Sequence, residues 1–217
     1  MEAAAIYQAV AAVWEGLYGN GAEAKRNASA ALALSSGRDV EYAAALALGL
    51  SRGLPGALSR SQALADDLEK RFPEDTFAKF TYVPVLHGLS SLNRGHAEDS
   101  IEELRTALQY QLAVLGLSQN LYMGGLHSAY VRGEALVAAH RYAEAATEFR
   151  KILEHRGVVG ADPIGALAHL KLGRALSLSK EGAEAKAAYR EFLALWSHAD
   201  ENLLIFQQAK TEFAKLP

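Results

Sequence analysis

Apolar residues recur at three- and four-residue spacing along nearly the whole chain, and sustained apolar–polar alternation is absent. The first period belongs to amphipathic helices, the second to half-buried strands, so the pattern predicts an all-α protein. Ala, Leu, Glu, Lys, Gln and Arg dominate, and only five prolines interrupt them. Gly and Pro fall at intervals that divide the chain into segments of about 12 to 18 residues. One string, GAEAK, stands at residues 21–25 and again at 182–186, with the looser copy YAEAA at 142–146.

Aligning the segments on the small residue of this string gives anchors at Ala24, Ser61, Ser100, Ala145 and Ala185, separated by 37, 39, 45 and 40 residues. That is a degenerate period for a helix–turn–helix unit. Four residues past each anchor comes a packing position: Ala28, Ala65, Leu104, Phe149 or Tyr189. Twelve residues before it stands a small residue: Ala12, Gly49, Gly88, Gly133 or Gly173. A Gly or Ala where two helices cross lets their axes approach toward the short end of the usual ~8–10 Å. On this reading GAEAK is the turn between the first and second helix of a unit plus the start of the second. Gly serves the turn, Ala the crossing, and Glu and Lys face water.

The pattern resembles the tetratricopeptide repeat, whose signature places Leu-Gly in the first helix, Ala and an aromatic in the second, and Pro after it. Residues 169–196, HLKLGRALSLSKEGAEAKAAYREFLALW, match best, with Leu172, Gly173, Ala185 and Tyr189 in register. Residues 129–153 follow with Gly133, Ala145 and Phe149, whereas the second unit has Ser61 in the Ala slot. The resemblance implies a right-handed superhelix of about five helix pairs, in units of about 4–37, 38–74, 75–110, 121–157 and 162–197. Residues 110–121 read as an insertion between repeats, and residues 199–216 as an amphipathic helix capping the open end of the stack.

Shorter signals agree. Asp162 is placed to cap a helix whose first residue is Pro163. Pro73 lies just past one helix, and Asp75 near the start of the next.

A narrower likeness covers residues 130–135 (YVRGEA), 155–175 (HRG…DPIGALAHLKLGRA) and 195–216 (LW…AD…QAKTEFAKL). These phrases are similar to the C-terminal repeat region of bacterial Ser/Thr protein kinases of the eukaryotic type and of related winged-helix regulators. Phe213 here replaces the usual Tyr, and ENLLIFQQ a Pro-containing stretch. The resemblance implies the sensor or docking region of a signalling protein. It would lie outside the cytoplasm if a membrane-spanning kinase carries it, and inside otherwise. No kinase signature is present in this segment. The abrupt helical start after Met1 suggests a piece of a longer protein, with a free-standing adaptor as the alternative.

Composition narrows the functions further. The formal charge is −3 and the pI about 6.2, without the concentrated basic surface that grips nucleic acid. Cysteine is absent, which removes disulfides, thiol catalysis and thiolate metal sites. The longest apolar run, AAALALGL at 43–50, is far short of the ~20 residues that span a bilayer, so no membrane insertion by this segment is expected. GNGAEA at 19–24 fits a dinucleotide fingerprint in letters but has helix, not strand, before it. The seven histidines form no His-Glu-x-x-His pair; His169 stands where the repeat often has Trp, so partial burial is expected for it. The carboxylate pairs Asp66/Asp67, Asp99/Glu102 and Glu102/Glu103 lie on faces expected to be solvated. No catalytic, cofactor or metal residues are therefore assigned.

What remains is recognition. In the resembled repeats, positions two, five, nine and twelve of each unit face a groove lined by the first helices. By register these are Tyr82, Val85 and Leu89; His127, Tyr130 and Glu134; and Leu167, Leu170, Arg174 and Ser177. The set would suit a protein or peptide ligand with apolar anchors and charges, unless several of these residues fill the core between repeats. Self-association as a homodimer, through the capping helix or an open first unit, is the alternative. Arg132 stands where the repeat usually has Leu; it is expected to reach either the neighbourhood of Glu134 or a carboxylate on an adjacent helix.

Overall fold

The computed structural model describes residues 2–113, 123 and 125–216, and these residues are all-helical. The elements are α1 (Glu2–Tyr18), α2 (Gly21–Leu34), α3 (Arg38–Leu50), α4 (Ala57–Arg71), α5 (Val83–Asn93), α6 (Ala97–Glu103), α7 (His127–Ala138), α8 (Tyr142–Glu154), α9 (Arg156–Val159), α10 (Ile164–Leu178), α11 (Gly182–Leu195) and α12 (Leu204–Ala214). A π-helical turn, Ala78–Tyr82, leads into α5, and a 3₁₀ turn, Leu104–Gln109, continues α6. Pro84 supplies the reason for the first of these. It has no N–H to donate, and its ring would crowd the carbonyl four residues back, so the preceding turn widens.

Each first helix touches its own hairpin partner and the first helix of the next pair. Helix α1 packs on α2 and α3, α3 on α4 and α5, α5 on α6 and α7, α7 on α8 and α10, and α10 on α11. The second helices α2, α4, α6 and α8 also touch the first helix of the following pair. Within a pair the helices run antiparallel: Gln8 donates to Asn27 at 2.6 Å, while Ser35, near the far end of α2, reaches Glu2 at 2.5 Å.

Four of the turns inside the pairs are the same turn. Gly19 (φ 89°), Gly95 (84°), His140 (59°) and Lys180 (68°) are left-handed. The next residue in each case donates its N–H five positions back: Asn20 to Glu15, His96 to Ser91, Arg141 to Leu136 and Glu181 to Leu176, at 2.8–2.9 Å. This is the Schellman closure of a helix C-terminus. The carbonyl of that same residue then accepts the first bond of the next helix, from Ala24, Ser100, Ala145 or Ala185. These are four of the five anchors read from the sequence. One detail is corrected: Gly21 and Gly182 of the GAEAK strings begin α2 and α11, while the left-handed residue lies two positions earlier.

The crossings follow the predicted spacing. A Cβ added at Gly88 would lie 2.7 Å from Leu104, at Gly133 2.6 Å from Phe149, and at Gly173 2.7 Å from Tyr189. At Gly49 the nearest atom belongs to Leu89 of the next pair, because Ala65 is too short to fill the slot. Ser61 and Ser100, which replace Ala at the anchor, satisfy their buried hydroxyls on the carbonyls of Ala45 and Gly88, at 2.7 and 2.6 Å.

Both expected capping residues bond near helix starts, although α10 begins at Ile164, one residue past Pro163. Asp75 accepts from the N–H of Ala78 at 2.9 Å, and Asp162 from that of Ile164 at 3.0 Å. The terminal helix is shorter than residues 199–216, since Asp200 takes the N–H of Asn202 into a local turn and helix begins only at Leu204. Most of the expected insertion, from residue 114, lies outside the described residues.

The first pair is not left open. The ring of Tyr18, at the end of α1, meets that of Trp196, just past α11, edge-on at 5.5 Å. Trp14 and Tyr18 share a cavity of about 320 Å³ with Val159, His169 and Trp196.

Candidate functional site

Five of the expected groove residues are core. Tyr82, Val85, His127, Leu167 and Leu170 are buried and line no part of the inner cavity described next; Leu89 and Tyr130 are as deeply buried but do line it. Tyr82 stacks on Tyr42 with centroids 3.8 Å apart and donates to Asp39 at 2.9 Å. His127 is locked to Asp162 at 2.8 Å, tying α7 to the start of α10. Ser177 is half-buried and outside the cavity described next.

The remaining four, Leu89, Tyr130, Glu134 and Arg174, line one cavity of about 300 Å³. Its wall comes from the C-terminal parts of α1, α3 and α5, from α7 and α10, and from the start of α12. These are the first helices of all five pairs plus the terminal helix. Leu50, Leu89, Leu92, Leu204 and Ile205 make the apolar part; Arg52, Tyr130, Glu134, Lys171, Arg174 and Gln208 make the polar part.

Glu134 is the centre of the polar part. Lys171 Nζ lies 2.9 Å from one carboxylate oxygen and Arg52 3.5 Å from the other. Burial pushes the Glu134 pKa up, but Lys171 and Arg52 outweigh it and hold the carboxyl below its ordinary range. Lys171 also stands 5.8 Å from the Tyr130 ring centroid. Burial, and then the charge of Glu134, push the Tyr130 hydroxyl well up, so it remains a neutral donor at physiological pH. Arg174 gives Nε and one terminal nitrogen to the two oxygens of Glu212 on α12, at 2.8 and 2.9 Å. Tyr189 adds a bond to the same carboxylate at 2.8 Å. This bidentate pair seats α12 against α10 and α11.

Arg132 resolves in favour of the adjacent helix. It pairs with Glu148 on α8, which Lys151 also holds at 2.8 Å. GNGAEA forms the α1–α2 turn and the first residues of α2.

Sequence reasoning missed Arg52, Lys171 and Gln208. Arg52 sits in the longer α3–α4 loop, which the repeat signature does not cover. Lys171 and Gln208 lie outside the four groove positions. A Lys between two Leu on a first helix was the available signal for Lys171.

Among the described residues no group of three or more His, Asp or Glu could hold a metal ion, and no helix is long and apolar enough to cross a membrane. Comparison with known proteins finds no matching family model, no matching curated protein and no matching solved structure.

Proposed function

We propose that the chain is a non-catalytic binding module: a tetratricopeptide-type superhelix of five helix pairs and a terminal helix that takes a protein or peptide segment on its inner face. The observation that carries this reading is the convergence of the first helices of all five pairs on one charged cavity. The four equivalent Schellman turns and the glycine crossings support the repeat assignment. The phrases at residues 130–135, 155–175 and 195–216 support a place as the sensor or docking region of a bacterial signalling protein of the Ser/Thr kinase type.

Selection of a displayed random-peptide library against the immobilised protein tests this. The reading expects enriched sequences whose binding drops when Arg52, half-exposed at the cavity mouth, becomes Glu. A library that yields no binder, or binders indifferent to Arg52→Glu, counts against the inner face as the docking surface.

A further inference from the structure

The charges lining the inner cavity do not balance. Arg52, Lys171 and Arg174 face it, with Glu134 as their only acidic counterpart in the wall among the described residues. Even when Glu212, which holds Arg174, is counted, one positive charge is left over. The three cations are not equally engaged. Lys171 is spent on Glu134 at 2.9 Å, and Arg174 commits two of its nitrogens to Glu212. Arg52 has one long contact of 3.5 Å to Glu134, and its side chain keeps about half its surface, 54%, open. A guanidinium with that much unspent donor capacity presents the planar fork that matches a carboxylate.

The same wall also carries Leu50, Leu89, Leu92, Leu204 and Ile205. A bare ion would leave that apolar surface wet, and a purely apolar molecule would leave the cations uncompensated. The volume of about 300 Å³ is room for about ten waters. That is enough for one anchoring side chain of a segment lying across the mouth, or for a separate molecule of about ten non-hydrogen atoms. An apolar lining combined with a few convergent polar groups is a common form of small-molecule site, and here the charged groups make up a large share of the wall.

We infer that the cavity binds a small amphiphilic carboxylate, with its carboxyl on Arg52 and Arg174 and its apolar body against the leucines and Ile205. The neutral Tyr130 hydroxyl and the Gln208 amide are the additional donors in the wall. The inference rests on the reading that the inner face is the binding face. It goes further in making the module responsive to a metabolite-sized molecule.

The test is calorimetric titration of the full chain with phenylacetate and hexanoate. Hexanol and hexylamine serve as body-matched neutral and cationic controls, and inorganic phosphate as the anion without an apolar body. The carboxylates are expected to bind, with hexanol and phosphate at least about tenfold weaker and hexylamine weaker still. Arg52→Gln should weaken carboxylate binding about tenfold while leaving the melting temperature of the free protein nearly unchanged, since Arg52 lies in a loop and is half-exposed. Absence of carboxylate binding at millimolar concentration would overturn the inference, as would unchanged binding in Arg52→Gln. Phosphate binding as tightly as hexanoate would do so too, because the site would then be reading charge alone. The two proposals separate cleanly. Peptide binders that no carboxylate displaces, from a protein that binds no carboxylate, sink this one alone. Carboxylate binding without any peptide binder sinks the protein-docking reading alone.

Discussion

Gly133 and Phe149 occupy one volume: a Cβ on the glycine would sit 2.6 Å from the phenylalanine ring. Helix α7 can lie this close to α8 only because position 133 has no side chain. Ala is the better helix former by about 1 kcal/mol, yet overpacking costs typically about 1–3 kcal/mol. Gly133→Ala should therefore lower stability by about 1 kcal/mol, and Phe149→Leu should partly rescue it in the double variant. Gly157, whose added Cβ would meet nothing within 4 Å, is the control: Gly157→Ala should be neutral or slightly stabilising. Equal effects at the two positions in chemical denaturation would refute the close crossing.

Lys180 holds a left-handed backbone, φ 68°, in the turn where the first and third pairs use glycine. A residue with a Cβ pays about 1–2 kcal/mol for that conformation. Glycine avoids the cost but widens the unfolded ensemble. Lys180→Gly is expected to stabilise the protein by about 0.5–1 kcal/mol, visible as a raised melting temperature. A destabilised variant would mean that Lys180 is not under backbone strain.

The terminal helix hangs on Glu212, which receives Arg174 and the Tyr189 hydroxyl. Tyr189→Phe removes one bond to a charged group, worth about 1.5–3 kcal/mol, discounted here because Glu212 is partly exposed. Its main effect should be local. Limited proteolysis is expected to cut faster between α11 and α12, within residues 196–203, with cleavage elsewhere little changed. Uniform acceleration across the chain would show instead that α12 and the repeats unfold together.

Acid should weaken the fold in two stages. Burial is the first cause of the lowered His169 pKa. The unfolded chain therefore takes up this proton first, and stability falls as pH drops below the ordinary value near 6.5. For Glu134 and Glu212 burial raises the pKa, but the paired cations outweigh it and the net shift is downward. Their contribution is complete above the ordinary value of 4.5 and is lost as pH falls through the lower folded value. Denaturation midpoints for the unmodified chain, His169→Gln and Glu212→Gln should show the first stage missing in one variant and the second reduced in the other. Identical pH profiles for all three would remove this explanation.

The sequence carried the crossings well because they depend on side-chain volume at fixed helical spacing. Sixteen residues separate Gly88 from Leu104, Gly133 from Phe149 and Gly173 from Tyr189, and all three pairs meet. The caps at Asp75 and Asp162 were legible for the same reason, being local. The site was legible only in part. A repeat signature ranks positions by which face of a helix they occupy, and it assumes an open stack. Val85, Leu167 and Leu170 lie in the core. Arg52, from a loop of irregular length, enters the wall instead. Contacts such as Tyr18 with Trp196 span most of the chain and leave no periodic trace.

That long-range contact is the test of whether the first pair, whose Tyr18 lines the inner cavity, lies against the end of α11. The chain has no cysteine, so the pair Tyr18→Cys and Trp196→Cys can be introduced alone and bridged with a short bis-maleimide at low protein concentration. Gln8→Cys with Asn27→Cys, across the first hairpin, sets the rate for neighbouring positions. The account predicts intramolecular bridging of 18 and 196 at a rate comparable to the hairpin control. A hairpin pair that bridges readily while 18 and 196 do not would contradict that placement and, with it, this part of the cavity wall.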